Sequence, residues 1–154
     1  MTALLDVRDL RVAFDTDDGL VRAVDGVSYQ VEAGRTLGIV GESGSGKTVG
    51  TLTIMGLTRS RRTRISGEAL FNGQDLLTAD DERMRGIRGD DIAMIFQDPL
   101  SSLHPFYKVG DQLVEAIQAH RDVSKASARD RAAELLGMVG IPDPRGRLTS
   151  YPHE

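Results

Sequence analysis

Residues 36–48 read TLGIVGESGSGKT, and the fold turns on how that stretch divides. Thr36 to Val40 is a short, continuous apolar run with β-branched residues, the mark of a strand buried on both faces. Gly41 to Thr48 matches G-x-x-x-x-G-K-[ST], the phosphate-binding P-loop, and VGTLTIMGL (49–57) follows with apolar residues at roughly helical spacing. Strand, glycine loop, helix is the order such a loop requires. The small residues among Gly41, Glu42, Ser43, Gly44, Ser45 and Gly46 let consecutive backbone N–H groups turn inward as an anion nest. The following helix aims its positive end at the same place. Lys47 then reaches the β- and γ-phosphates of a nucleotide, and the Thr48 hydroxyl is placed to ligate the Mg²⁺ that bridges them. The bland alternative, a glycine-rich turn with an incidental Lys-Thr, does not account for the strand before and the helix after.

Upstream, LLDVRDLRVAF (4–14) and GVSYQVEAG (26–34) alternate with period two around the acidic turn DTDDGL, predicting an antiparallel β region. Downstream, RSRRTR (59–64) reads as a polar connection, and ISGEALFNGQDL (65–76) as a strand turning at Asn72 and Gly73. DDERMRGIRG (80–89) suits a short helix with acidic residues at its start. DIAMIFQ (91–97) predicts a second buried strand. After it the texture is helical, in VGDQLVEAIQAH (109–120) and SKASARDRAAELLGMVG (124–140), with Ser124 or Ser127 as caps and Gly140 then Pro142 as stops.

More residues than the loop identify a family. The antiparallel segment VAFDTDDGLVRAVDGVSY, the loop GESGSGKT and the stretch MIFQDPLSSLHP together resemble the ATP-binding subunits of ABC transporters, particularly the dipeptide and oligopeptide import branch. The resemblance runs through GIPDPRGRLTSYPHE at the end of the sequence. It implies an α/β fold: a P-loop NTPase core with an incomplete parallel sheet, an N-terminal antiparallel β subdomain and the start of a helical subdomain. The approximate division is 1–100 for the β subdomain and core, and 101–154 for the Q-loop region and first helices. It further implies that Gln97, closing the strand after the P-loop, senses Mg²⁺ and the γ-phosphate, and that Phe14 stacks on the adenine ring. Without the family, Phe14 reads as a core aromatic and Gln97 as a strand-end polar residue. The sequence departs from the branch at His104, where an asparagine before the proline is more familiar.

The implied partners are ATP, Mg²⁺, integral membrane permease subunits, a second ATP-binding subunit in a homo- or heterodimer and, indirectly, a solute-binding protein. The implied place is the cytoplasmic face of the membrane, as a peripheral subunit. In DPLSSLHPFYKVG (98–110), the resemblance implies that Tyr107 meets the membrane subunit, while Phe106 reads equally as an aromatic that closes the small core under the following helices. In the family a stretch like YPHE leads into a signature beginning Leu-Ser-Gly-Gly; that signature, the Walker B aspartate, the catalytic glutamate and the switch histidine find no match in residues 1–154. Those groups supply most of the charge stabilisation in phosphoryl transfer, so this stretch by itself is expected to bind ATP without hydrolysing it. An open apolar sheet edge is expected for the same reason. A non-catalytic nucleotide-binding fragment and a P-loop phosphotransferase are the alternative readings.

Composition agrees with a globular domain. The 154 residues are 40% apolar and 27% charged, with no Cys, so disulfides and thiolate metal sites are excluded. A net charge of -4 gives no electrostatic reason for a nucleic-acid partner, and Arg59, Arg61, Arg62 and Arg64 read as a solvated connection. His104, His120 and His153 lack zinc spacing, and Asp80-Asp81 and Asp90-Asp91 read as turns and helix starts.

Overall fold

The computed structural model describes residues 3–98 and 102–154; Met1, Thr2 and the Pro99–Ser101 part of the DPLSSLHP loop lie outside the described residues. The chain divides into two compact units, the first ending at Arg88 and the second running from Gly89 to Glu154.

The first unit is built on a four-stranded antiparallel sheet. Strand β1 (Leu5–Thr16) and β2 (Gly19–Val31) form a hairpin over Asp17 and Asp18, β3 is Thr63–Phe71 and β4 is Gln74–Asp75, in the order β2-β1-β3-β4. Both Asn72 (φ 48°) and Gly73 (φ 82°) take left-handed backbone in the β3–β4 turn, as a two-residue hairpin with the strands' own twist requires. The alternation in β1 is interrupted at Asp9, which has φ 45°, and the register with both neighbours shifts there. The extra residue restores the pattern, so Val7, Leu10 and Val12 are all buried. Opposite the bulge a Cβ on Gly67 would lie 2.4 Å from the Asp9 carbonyl oxygen, so only glycine fits there.

Helix α1 (Lys47–Ile54) packs on β1 and β2 and buries Thr53 and Ile54. Each fully buried aliphatic contributes about 1.5–3 kcal/mol. The buried Thr53 hydroxyl is satisfied by Val49 O (2.8 Å) and the Thr58 hydroxyl (2.8 Å). Helix α2 (Asp81–Ile87) begins as its sequence predicts, with the Asp80 carboxylate accepting from Arg83 N at 2.8 Å, and buries Met84 and Ile87. The arginine run is more than a solvated connection. The half-buried Arg59 donates to Leu76 O and Ala79 O, both at 2.6 Å, stapling the segment ahead of α2, and β3 takes in Thr63 and Arg64.

Two expected strands are corrected. Neither Thr36–Val40 nor the 93–97 run carries a strand ladder, and Val40 and Ile95 are 97% and 94% exposed. Apolar, β-branched content marks a segment fit for a sandwiched strand, but a strand exists only through hydrogen bonds to a neighbour, and no such neighbour pairs with either run among the described residues.

The second unit is helical: α3 (Val109–Gln118), α4 (Lys125–Met138) and the four-residue α5 (Pro144–Arg147). Its core joins Ala132, Ala133 and Leu148 to the half-buried Leu113, Ile117 and Leu136. Of the two serines, Ser124 caps α4, accepting from Ser127 N at 3.2 Å. The helix stops where the sequence places the stop: Gly140 has φ 79° and Ile141 N reaches back to Leu136 O at 3.0 Å. Gly110 lets α3 close on the chain end, since a Cβ there would stand 2.5 Å from Leu148 O.

Candidate functional site

Gly41 to Thr48 form one continuous loop-and-helix start in the first unit. Ser45 N closes a turn onto Glu42 O (3.2 Å), and Gly50 N makes the first bond of α1 to Gly46 O (2.8 Å). Gly44 and Gly46 sit at φ 82° and 87°, a region open to glycine at no steric cost. Gly46 is fixed by a second constraint. Between Val12 and Ala13 the β1–β2 register shifts, bulging β2 at Ala23, and a Cβ on Gly46 would stand 2.2 Å from the Ala23 carbonyl oxygen. The antiparallel sheet and the loop therefore meet backbone to backbone.

The start of α1 differs from those of α2 and α4. Its N-cap is Gly46, with no side-chain capping bond and no acidic residue in the first turn, whereas Asp80 and Ser124 cap the other two; α3 also lacks a side-chain cap, but it has Asp111 in its first turn and its Val109 and Gly110 N–H groups donate to Ser150 O and Leu148 O. The orphan N–H groups and the positive end of the dipole at α1 are left for something outside the helix. The Lys47 ammonium folds back over the loop, donating to Gly41 O (2.6 Å), Glu42 O (2.7 Å) and Ser45 Oγ (2.9 Å). The Thr48 side chain is exposed in the first turn of α1, while Thr51 and Thr53 bond their hydroxyls to carbonyls earlier in the helix. Glycine backbone, an uncapped helix start and one ammonium make a site for an anion carrying several oxygens; a hydroxyl beside them adds a ligand for a hard cation.

Beside the loop is a cavity of about 250 Å³ whose lining includes Leu10, Val24, Tyr29, Val40, Ser45 and Lys47. Burial pushes the Tyr29 phenol above its ordinary value. Phe14 is half-buried in β1, paired with Val21 and Thr63, and shares a strand face with the buried Val12. It lies on the sheet that the loop abuts but is not in the wall of that cavity. Gln97 belongs to the second unit, in an exposed bend.

Sequence reasoning missed two contributors. The Ala23 bulge has no residue-type signal, since it is a register effect. Gln112, which binds the backbone on both sides of Pro105, is one more polar residue on an amphipathic helix, and its pairing with His104 and Tyr107 spans a loop.

The family model described as ABC transporter matches residues 24–153. The chain is 51% identical over 153 residues to the dipeptide transport ATP-binding protein DppD of Haemophilus influenzae, covering 99% of this chain and 46% of that protein. It is 46% identical over 152 residues to the oligopeptide transport ATP-binding protein OppD of Escherichia coli, covering 99% and 45%. The chain thus spans about half the length of the curated relatives it matches. Among solved structures it is similar to a dimeric bacterial ABC transporter cassette, with TM-score 0.78 and 23% identity, over 96% of this chain and 60% of that one. A second structure of that cassette, in a post-hydrolysis state bound to ADP and Pi, matches with TM-score 0.78 and 19% identity over 97% and 62%. At these identities the structural likeness speaks to the fold.

Proposed function

The chain belongs to the ABC transporter family, and on that premise we propose that it binds Mg-ATP at Gly41–Thr48 as part of an ATP-driven importer of peptides or related small solutes. The observation that carries this reading is the uncapped start of α1 behind a left-handed glycine pair, with Lys47 already folded over the loop. Phosphate oxygens entering the loop replace Gly41 O and Glu42 O as partners of the ammonium, and the backbone N–H groups that the lysine leaves alone take the remaining oxygens. Phe14 supplies the flat face for adenine. Thr48 and Gln97 are the residues proposed to hold Mg²⁺, and the cation, when bound, would neutralise the charge of the phosphates. In the complete protein, two such domains hydrolyse ATP against permease subunits at the cytoplasmic face of the membrane, with a solute-binding protein delivering cargo. Among the described residues no helix is long and apolar enough to cross a membrane, so the proposed attachment is through those subunits. Phe106 and Tyr107 are the proposed contact with the permease. Residues 1–154 by themselves are proposed to bind nucleotide without turning it over.

The test is calorimetric titration of Mg-ATP into the protein and into Lys47→Ala. Loss of the one ammonium in the loop is expected to weaken binding about 100-fold, some 2.7 kcal/mol. Binding that survives within about threefold would remove the phosphate assignment.

A further inference from the structure

The loop of Gly41 to Thr48 has a shape and a place, and different groups set them. Its shape is internal: Ser45 N donates to Glu42 O, Gly50 N to Gly46 O, and Lys47 Nζ to Gly41 O and Glu42 O. Its place comes from β2. Where the β1–β2 ladder shifts, Val12 pairs with Val24 and Ala13 with Arg22, which leaves Ala23 as the extra residue of β2. A Cβ on Gly46 would stand 2.2 Å from Ala23 O and 3.4 Å from Val24 Cγ2, and a Cβ on Gly50, one helical turn on, 4.0 Å from the same methyl. The start of α1 thus rests on the bulge by its bare glycine side.

The same bulge decides what lies beside Phe14. Side chains alternate along a strand, so Val24 and Val21, three residues apart, could not share a face in a regular β2. The extra residue restores the parity: Phe14 pairs with Val21 on the face of the buried Val12 and Val24, and Arg22 pairs with Ala13 on the other. From Ala23 to the partner of Phe14 is two residues, about 7 Å of strand. We infer that Ala23 is a positioning residue of the proposed nucleotide site: its bulge holds the phosphate loop at a fixed distance from Phe14, so that base and phosphates are bound as one ligand of set span and a nucleoside triphosphate is favoured over inorganic triphosphate. The inference rests on the proposed adenine contact at Phe14.

Deleting Ala23 is the informative change, because it closes the ladder with Val12 and Val24, Ala13 and Arg22, and Phe14 and Val21 still opposite one another. Calorimetric titration of the protein, the deletion, Phe14→Ala and the two combined, with Mg-ATP and with Mg-tripolyphosphate, reads the two halves of the ligand apart. Phe14→Ala is expected to lower the ratio of ATP to tripolyphosphate affinity at least about fivefold. The deletion should lower it as far with tripolyphosphate binding within about threefold of wild type, since the loop keeps its internal bonds, and Phe14→Ala should then add less than about twofold. If Phe14→Ala lowers the ratio but the deletion keeps it, or loses both ligands equally, the inference is overturned. If Phe14→Ala leaves the ratio unchanged, the adenine reading has failed and the inference with it. Deuterium exchange of the unaltered protein needs no variant and decides the inference where the deletion protein does not fold. Tripolyphosphate alone should slow the Ala23 and Val24 amides at least about threefold, with Leu70 and Phe71, at the other end of β1, within about 1.5-fold. Unchanged exchange at Ala23 and Val24 overturns the inference.

Discussion

Two loops of this protein are each tied by one long polar side chain from the first turn of the helix that follows, and they are tied in opposite senses. Lys47 is a pure donor: it occupies the carbonyls of Gly41 and Glu42 and cannot occupy an N–H. Gln112 is both donor and acceptor, and it takes an N–H and two carbonyls of its loop. The first loop is thereby held in shape with donors to spare, beside an uncapped helix start. The second has its polar groups turned inward and shows aromatic rings instead. Which backbone groups a tether leaves over decides what a loop can meet: spare N–H groups suit an oxyanion, and a satisfied backbone with exposed rings suits another protein.

The largest expected effect falls on the backbone contact beneath the first loop. Gly46→Ala must place a methyl 2.2 Å from Ala23 O at φ 87°, whereas Gly44→Ala, at φ 82°, has nothing within 4 Å of its added methyl. The Gly44 variant should lose about 1 kcal/mol, the conformational cost alone, and the Gly46 variant about 3 kcal/mol, with the sheet forced off the loop. Urea denaturation monitored by circular dichroism separates them; equal losses would mean that Ala23 is not a true wall of the site.

The second loop should respond in assembly rather than in stability. Tyr107→Ala removes an exposed ring, so folding should change by less than about 0.5 kcal/mol, and Mg-ATP affinity by less than about twofold. On the proposed docking role, association with permease subunits is expected to weaken about tenfold. Co-purification beside nucleotide titration reads both, and a Tyr107→Ala protein that loses nucleotide binding and folding together would erase the distinction between the loops.

The contrast also marks how much was legible in the sequence. The glycine loop is written in spacing because each position has a separate backbone or charge duty, and the caps at Asp80 and Ser124 and the Asn72-Gly73 turn follow the same local logic. The helices of the second unit follow from apolar period. The strand assignments at 36–40 and 91–97 failed because composition reports fitness for a ladder and not the presence of its partner. The four-residue α5, opening on Pro144, is too short to carry a period. The Arg59 staple, the Asp9 and Ala23 bulges and the Gln112 clamp depend on which distant backbone groups come within reach, which residue type does not encode.

The smallest effect is the sharpest test of the tether itself. Ser45 Oγ is the third acceptor of the Lys47 ammonium, and it is a side chain, so it can be removed without disturbing the nest. If the lysine's bonds to its own loop are placeholders for phosphate oxygens, they belong to the nucleotide-free state and oppose binding slightly. Deleting one of them in an exposed setting should then favour the complex: Ser45→Ala is expected to bind Mg-ATP about twofold more tightly, some 0.4 kcal/mol. The sign is the informative part. Gly41 O and Glu42 O still hold the ammonium over the loop, so its position should survive, and the thermal transition should stay within about 2 °C. Affinity that instead falls tenfold in Ser45→Ala would make the hydroxyl a ligand of the phosphate in its own right. The first loop would then be held, like the second, by groups that serve the bound state, and the opposition between the two tethers would no longer explain their different uses.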